Sequence, residues 1–154
     1  MLLSTLIASK LFVVGLVSVR GDSMAPEIMG GASCLVTKLG PVTAFGYTLV
    51  NLKPQRDHRV VARPKGWKNY LIKRVAAASQ ERLPDAPWLK HWRLSKTAAG
   101  KRVRKAGIRC DAQGCHTQKD HVFLISNQLK GTSDSRLFGA VSHRRLLGRV
   151  AVCF

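Results

Sequence analysis

Acidic residues are scarce in this sequence. Among 154 residues, eight Asp and Glu stand against 26 Lys and Arg, which gives a formal net charge of +18. Such a chain is attracted to polyanions, either nucleic acid or anionic lipid headgroups. One basic run, "KTAAGKRVRKAGIR" at 96–109, contains neither an acidic residue nor a hydrophobic period, so it predicts a solvated loop or ribbon tip. Charge alone does not predict a specific nucleic-acid partner.

The sequence also lacks an internal repeat and any helix-type hydrophobic pattern of ten or more residues. Repeat architectures and helical bundles are therefore disfavoured. Short apolar runs punctuated by Gly, Pro and Asn predict a mainly β domain instead. The strand-like segments are CLVTK, GYTLVNL, HRVVAR, NYLIKRVAAA, WLKHWRL, HVFLIS and RRLLGRVAVCF.

A full hydrophobic span without charge is missing at the N-terminus. Residues 1–19 would cover about 28 Å as a helix, but Lys10 sits at the midpoint, at a cost of about 2.5–3.5 kcal/mol in a bilayer. No basic segment precedes the run and no small-residue cleavage site follows it, which argues against a removed signal peptide. We expect an apolar segment at 1–18, part membrane anchor and part first strand, followed by one domain at 19–154. The alternative is a buried helix and strand of a soluble domain.

Four cysteines leave two interpretations open. Cys110 and Cys115 flank a turn-like "DAQG", so they would form a disulfide in an oxidising compartment and remain thiols in a reducing one. Together with His116 and His121 they could instead bind zinc in a non-enzymatic, basic nucleic-acid-binding module. The C-x4-C-H-x4-H spacing differs from the C-x2-C opening of the usual zinc knuckles.

A serine follows the first strand-like run at a sharp bend. The run ends at Arg20, Gly21 permits a positive φ, and Pro26 fixes the exit of the chain. Ser23 lies between them. This setting suits a nucleophile presented on a bend, and it equally suits an ordinary turn serine.

A serine nucleophile needs a base, and Lys73 is the candidate. None of the five histidines has a recognisable triad context. Strand alternation places Leu71, Lys73, Val75 and Ala77 on one apolar face, where desolvation disfavours the charged lysine. Lowering the lysine pKa to about 7–8 takes roughly 4 kcal/mol of differential stabilisation. The alternative places the heads of Lys73 and Arg74 in water.

The third candidate element is the loop "GTSDSRLFG" at 131–139. Its hydroxyl groups could orient the lysine amine, and Asp134 and Arg136 could form an ion pair that braces the loop. A plain Asx or Ser turn is the alternative.

Taken in order, "GDSMAP", "YLIKRV" and "TSDSRLFG" followed by "LLGRV" resemble the type I signal peptidase family. These are membrane-anchored serine endopeptidases with a Ser/Lys dyad, and they include bacterial leader peptidases, mitochondrial inner membrane peptidase subunits, and short maturation and conjugation-type members. The resemblance runs from about Val19 to Val150, with a poorly matched basic insertion at about 79–119. It implies a signal-peptidase-like β fold with coiled loops, preceded by a short N-terminal membrane-anchor segment.

The resemblance also implies roles for individual residues. Ser23 would be the nucleophile and Lys73 the general base, with no cofactor and no metal. Gly21 would leave the oxyanion hole without a side-chain donor. The supporting residues are Met24, which shapes the groove, Thr132, which holds the lysine, and Asp134, Ser135 and Arg136, which brace the site.

The implied activity is removal of signal or leader peptides from exported or membrane-tethered precursors that carry small residues before the cleavage site. Membrane lipid and a second peptidase subunit are the implied partners. The expected location is the trans side of a bacterial plasma membrane or, alternatively, of the mitochondrial inner membrane. Three departures concern substrate positioning: "AAASQE" replaces a "PGD" turn, "SNQ" at 126–128 replaces "GDN", and Ala25–Pro26–Glu27 replaces the more usual residue-Pro-Thr. A catalytically inactive or partner-dependent homologue is a further alternative.

Overall fold

A computed structural model describes residues 13–44, 47–85, 107–112, 114–128 and 131–154. Within these ranges the chain is mainly β, as predicted, with a four-residue helix α1 (Ser135–Phe138) and a 3-10 turn (His143–Arg145). The strands are β1 (Val13–Ser18), β2 (Ser33–Thr37), β3 (Gly40–Ala44), β4 (Tyr47–Leu52), β5 (Arg59–Ala62), β6 (Leu71–Ala77), β7 (Ile108–Asp111), β8 (Gly114–Thr117), β9 (His121–Ile125), β10 (Val141–Ser142) and β11 (Leu146–Cys153).

Seven strands form one curled antiparallel sheet in the order β1-β2-β11-β5-β6-β9-β10. The hairpins β3-β4 and β7-β8 form two separate two-stranded sheets. Because β6 lies between β5 and β9, both of its edges are hydrogen-bonded to neighbouring strands. A side chain on β6 is therefore held by backbone pairing on two sides.

Buried apolar side chains form three clusters along the sheet. One surrounds Phe123 and Ile108, one surrounds Val75 and Leu124, and one surrounds Met24. The last cluster links the bend after β1 to the sheet, so the segment that carries Ser23 is packed against the core rather than suspended from it.

Two disulfides involve all four cysteines. Cys110 and Cys115 are paired across the β7-β8 hairpin, the pairing that the sequence left open. Cys34 on β2 is bonded to Cys153 on β11, across 119 positions of sequence. The Cys34–Cys153 bond therefore joins two strands that are neighbours in the sheet but far apart in sequence.

The N-terminal expectation is tested only in part. The predicted first strand is present as β1, which occupies Val13–Ser18 of the segment expected at 1–18. The proposed anchor, 1–11, lies outside the described residues, as do the predicted strand "WLKHWRL" and most of the basic insertion. In the part of the chain that the structure describes, no helix combines the length and apolarity needed to cross a membrane.

Candidate active site

Ser23 lies on a tight bend that leaves β1 and returns to β2. Gly21 has a φ of +82°, the left-handed conformation that glycine adopts without steric cost. Backbone bonds close the bend at its base, where Val19 N–H donates to Ala32 O at 2.8 Å. The Asp22 carboxylate accepts the Gly30 N–H at 2.9 Å. The sequence prediction of a glycine-permitted bend at this position is confirmed.

Lys73 lies in the middle of β6, and its side chain is only 3% exposed. The prediction that it shares the apolar face of Val75 agrees with this burial. The extension of that face to Ala77 is wrong, because a β-bulge between Val75 and Ala77 shifts the alternation by one residue. Ala78 consequently joins the cluster of Val75, while Ala77 packs in the cluster of Phe123.

The bend and the strand bring Ser23 and Lys73 together. Lys73 Nζ and Ser23 Oγ are 2.6 Å apart, a short hydrogen bond between side chains 50 positions apart in sequence. Burial lowers the pKa of the Lys73 ammonium below its ordinary value of 10.5, and the positive charge of Arg136 lowers it further; the Asp134 carboxylate opposes both effects. In the neutral form, the amine lone pair is the acceptor for the Ser23 hydroxyl proton.

Asp134 and Arg136 form the predicted ion pair beside this dyad. Arg136 Nη2 lies 2.6 Å from Asp134 Oδ2, and Arg136 Nε lies 2.9 Å from Asp134 Oδ1. The same carboxylate accepts the N–H groups of Arg136 and Ser126, and it caps the first turn of α1. A 1% exposed carboxylate is thus fully used in fixing the loop to β9.

The two hydroxyl groups predicted from this loop have different partners. Ser135 is fully buried, and its Oγ accepts the N–H of Leu124 at 2.8 Å, so it ties α1 to β9. Thr132 donates to the Gln128 carbonyl at 2.8 Å and lies 3.5 Å from Arg136 Nη2. No hydrogen bond joins Thr132 to Lys73 among the described residues, although the resemblance assigns Thr132 to the lysine.

Two residues at the site escaped the sequence reasoning. The Asn127 and Gln128 N–H groups donate to the Ser23 carbonyl at 3.0 and 3.4 Å, and Asn127 Nδ2 donates to the Met24 carbonyl at 2.9 Å. The only signal was the "SNQ" triplet in place of "GDN". These contacts hold the backbone of the Ser23 bend to the segment that follows β9.

A groove of about 550 Å³ opens beside the dyad. The groove is lined by Val17–Gly21, Ser23 and Met24, by Asn69–Lys73, and by Val61 and Leu147. Met24 lines this groove as predicted, and it is also 2% exposed and packed in the core. Half of the lining residues belong to strands, which hold that part of the groove in place.

The zinc interpretation loses its cysteine ligands in this structure. Zinc binds thiolates, and both Cys110 and Cys115 are held in a disulfide. His121 Nδ1 lies 2.8 Å from the Lys119 carbonyl oxygen. Among the side chains that the structure describes, no group of three or more His, Cys, Asp or Glu is placed to hold a metal ion.

In sequence comparisons, the chain matches no protein-family model and no curated protein. Its chemistry is therefore inferred from the serine, the buried lysine and the groove beside them.

Proposed function

We propose that this chain is a serine endopeptidase of the signal peptidase type, which removes signal or leader peptides from exported or membrane-tethered precursors through a Ser23/Lys73 dyad. One observation carries the proposal: a buried lysine amine lies 2.6 Å from the hydroxyl of a serine that borders a groove. A structural lysine would place its head in water or against a carboxylate. Here the described partner of the amine is a potential nucleophile.

The acylation step follows from this geometry. Neutral Lys73 accepts the Ser23 hydroxyl proton as Oγ attacks the carbonyl carbon of the scissile peptide. The Ser23 N–H, which has no acceptor among the described residues, is available to the developing oxyanion. As the tetrahedral intermediate collapses, the Lys73 ammonium returns the proton to the leaving amine, and the acyl group stays on Ser23.

Deacylation uses the same lysine a second time. Neutral Lys73 takes a proton from a water that attacks the ester carbon, and the proton then passes to Ser23 Oγ as the ester bond breaks. No metal or organic cofactor enters this scheme. The burial that lowers the lysine pKa makes the neutral amine easier to form than in a solvated lysine.

The groove suits an extended peptide with small side chains. Strand β1 is hydrogen-bonded only to β2 within the described sheet, and its C-terminal end borders the groove. A substrate segment can therefore add to this edge by main-chain hydrogen bonds. Small residues before the cleaved bond would let the substrate backbone approach Ser23.

Charge and disulfides support a location on the trans side of a membrane. A net charge of +18 favours contact with anionic lipid headgroups. Two disulfides suit an oxidising compartment such as the bacterial periplasm or the cell surface. The same argument extends to the mitochondrial intermembrane space, where a second peptidase subunit is a plausible partner of such a chain.

The test compares cleavage of a precursor peptide with an A-x-A ending by the wild-type chain and by matched variants in anionic vesicles. We expect Ser23→Ala and Lys73→Met each to reduce kcat/KM by about 10³-fold or more. The matched controls are Lys65→Met, an exposed lysine, and Ser142→Ala, a serine without a capping hydrogen bond. Both controls should cleave at the wild-type rate.

A serine-reactive phosphonate probe gives a second readout that does not depend on the choice of precursor. We expect mass spectrometry to locate the adduct on Ser23 and to find little adduct in Lys73→Met. Cleavage by Ser23→Ala at the wild-type rate, or labelling independent of Lys73, would contradict the proposal.

A further inference from the structure

Ser126 carries a buried hydroxyl without a partner. The residue is 2% exposed, and its Oγ has no hydrogen-bond partner among the described residues. An unpaired hydroxyl in a protein interior costs about 1–3 kcal/mol, so most buried hydroxyls are paired. This cost indicates that Ser126 has a role other than stabilising the fold.

Strand register places Ser126 beside Lys73. The ladder between β6 and β9 pairs Val75 with Leu124 and Arg74 with Ile125. Continuing this register by one antiparallel step, just past the end of β9 at Ile125, would set Ser126 opposite Lys73. Residues directly opposed in an antiparallel pair project to the same face of the sheet. Both side chains are buried, so the unpaired hydroxyl and the amine share one interior face.

The backbone around Ser126 is fixed on both sides. Its own N–H donates to Asp134 Oδ2 at 2.9 Å, and the next N–H, of Asn127, donates to the Ser23 carbonyl at 3.0 Å. The backbone at Ser126 is therefore fixed to the Asp134 loop on one side and to the bend that carries Ser23 on the other. A side chain held in this way has little freedom except rotation about χ1 among its staggered positions.

The lysine amine needs an additional partner for the proposed chemistry. Its recorded hydrogen bond within the described chain is the one to Ser23. A neutral amine that points its lone pair at Ser23 must direct its N–H groups elsewhere, and hydroxyl oxygens are suitable acceptors. No hydrogen bond joins Thr132 to the amine among the described residues: its hydroxyl donates to Gln128 and lies 3.5 Å from Arg136 Nη2.

We propose that Ser126 is the positioning residue of the dyad: its Oγ accepts an N–H of Lys73 and aims the amine lone pair at the Ser23 proton. This inference rests on the proposed peptidase function and deepens it. Rotation about χ1 turns the hydroxyl from its unpaired position to the amine. The role that the resemblance gives to Thr132 is thus carried in this chain by a residue of the "SNQ" triplet.

The kinetic test compares Ser126→Ala with two reference variants, Thr132→Ala and the conservative Ser126→Thr. We expect Ser126→Ala to lower kcat for precursor cleavage about 10- to 100-fold, within the usual range for a group that supports proton transfer. KM should be unchanged, since Ser126 is not among the residues that line the groove. Thr132→Ala should keep the wild-type kcat, and Ser126→Thr should recover most of it.

Stability separates positioning from a structural role. Removing an unpaired hydroxyl should leave the urea midpoint of Ser126→Ala unchanged or raise it, so its loss of kcat would not reflect unfolding. Wild-type kcat in Ser126→Ala, or an equal loss in Thr132→Ala, would overturn the inference.

Titration of the Lys73 amine by NMR distinguishes this inference from the proposed function, because it requires no turnover. Loss of an acceptor for the ammonium should lower the pKa of Lys73 in Ser126→Ala and leave it unchanged in Thr132→Ala. The charged groups that act on the amine, Asp134 and Arg136, remain in both variants. A wild-type chain that cleaves nothing, with a shifted Lys73 titration in Ser126→Ala, would refute the peptidase and support the positioning contact. Unshifted titration would refute the contact even where Ser23→Ala abolishes cleavage.

Discussion

Asp134 and Lys73 are buried to nearly the same extent, at 1% and 3% exposure, yet their surroundings are opposite. The carboxylate of Asp134 accepts two side-chain bonds from Arg136 and the backbone N–H groups of Ser126 and Arg136. The amine of Lys73 forms no ion pair within the described chain and meets a serine hydroxyl. The charge of Asp134 is fully hydrogen-bonded, and these bonds fix the loop. The amine of Lys73 has a hydrogen bond to Ser23 but no carboxylate in contact among the described residues, and burial lowers its pKa.

The two sites also act on each other. Arg136 lowers the pKa of Lys73 and Asp134 raises it, so the ion pair presents opposing charges to the amine. Burial is the largest influence on the lysine and is not offset by a counter-ion at contact distance. The Asp134–Arg136 ion pair thus holds the loop in place, and the pKa of Lys73 remains below its ordinary value.

The largest effect on stability should come from breaking the Asp134–Arg136 ion pair. Asp134→Asn leaves Arg136 without its carboxylate and replaces a fourfold acceptor by a neutral amide. We expect a loss of about 3–5 kcal/mol in the free energy of unfolding, typical of removing one partner of a buried ion pair. Urea denaturation at pH 7 measures it. A loss below about 1 kcal/mol, the size typical of surface ion pairs, would contradict the contrast between the fully hydrogen-bonded Asp134 and the Lys73 amine.

A smaller effect on stability, of opposite sign, should follow from replacing Lys73. Lys73→Met removes a poorly solvated ammonium, and we expect a gain of about 1–3 kcal/mol in the free energy of unfolding at pH 7. The pKa of Lys73 is lower in the folded chain than its ordinary 10.5, so the unfolded chain binds more protons between these two values. Wild-type stability therefore rises with pH across that window.

The advantage of Lys73→Met should accordingly be largest below the folded pKa and shrink as the pH approaches 10.5. Urea titrations at several pH values between 7 and 10.5 measure this trend, with Lys65→Met as the exposed control. A constant difference between Lys73→Met and wild type across that range would mean that the amine is not desolvated in the folded state.

The smallest effect should come from a solvated pair near the site. Glu27 Oε2 lies 2.8 Å from Arg59 Nε, but the two side chains are 36% and 44% exposed. The hydrogen bond from Arg59 lowers the pKa of Glu27, so any stabilisation is present above the ordinary pKa and lost on acidification. We expect Glu27→Gln to cost at most about 0.5 kcal/mol at pH 7, with little left at high salt.

Local patterns in the sequence predicted the parts of the site that depend on local geometry. Gly21 predicted the bend, and alternation along β6 placed Lys73 on an apolar face, with its head in water as the alternative. The motif order pointed to Asp134 and Arg136 as a brace. Each of these rests on a few neighbouring residues, where periodicity and turn chemistry are informative.

Long-range pairing is the part that the sequence did not predict. The bulge that moves Ala77 off the face of Val75 arises from register with β9, and the pairing proposed for Ser126 and Lys73 rests on the same register. Thr132 occupies the position at which the resemblance places a lysine-holding hydroxyl. Its hydroxyl donates instead to the Gln128 carbonyl, four residues earlier in the chain. The Cys34–Cys153 bond joins residues 119 apart, beyond any local pattern.

That bond has a consequence for the integrity of the site. It closes a covalent ring from Cys34 to Cys153, and both Lys73 and Asp134 belong to the ring, whereas Ser23 is attached just outside it. A single cut of the main chain anywhere between the two cysteines leaves one covalently continuous molecule that still carries Ser23, Lys73 and Asp134. Only a cut combined with reduction separates them, so the compartment's redox state decides whether a nicked chain is one molecule or two.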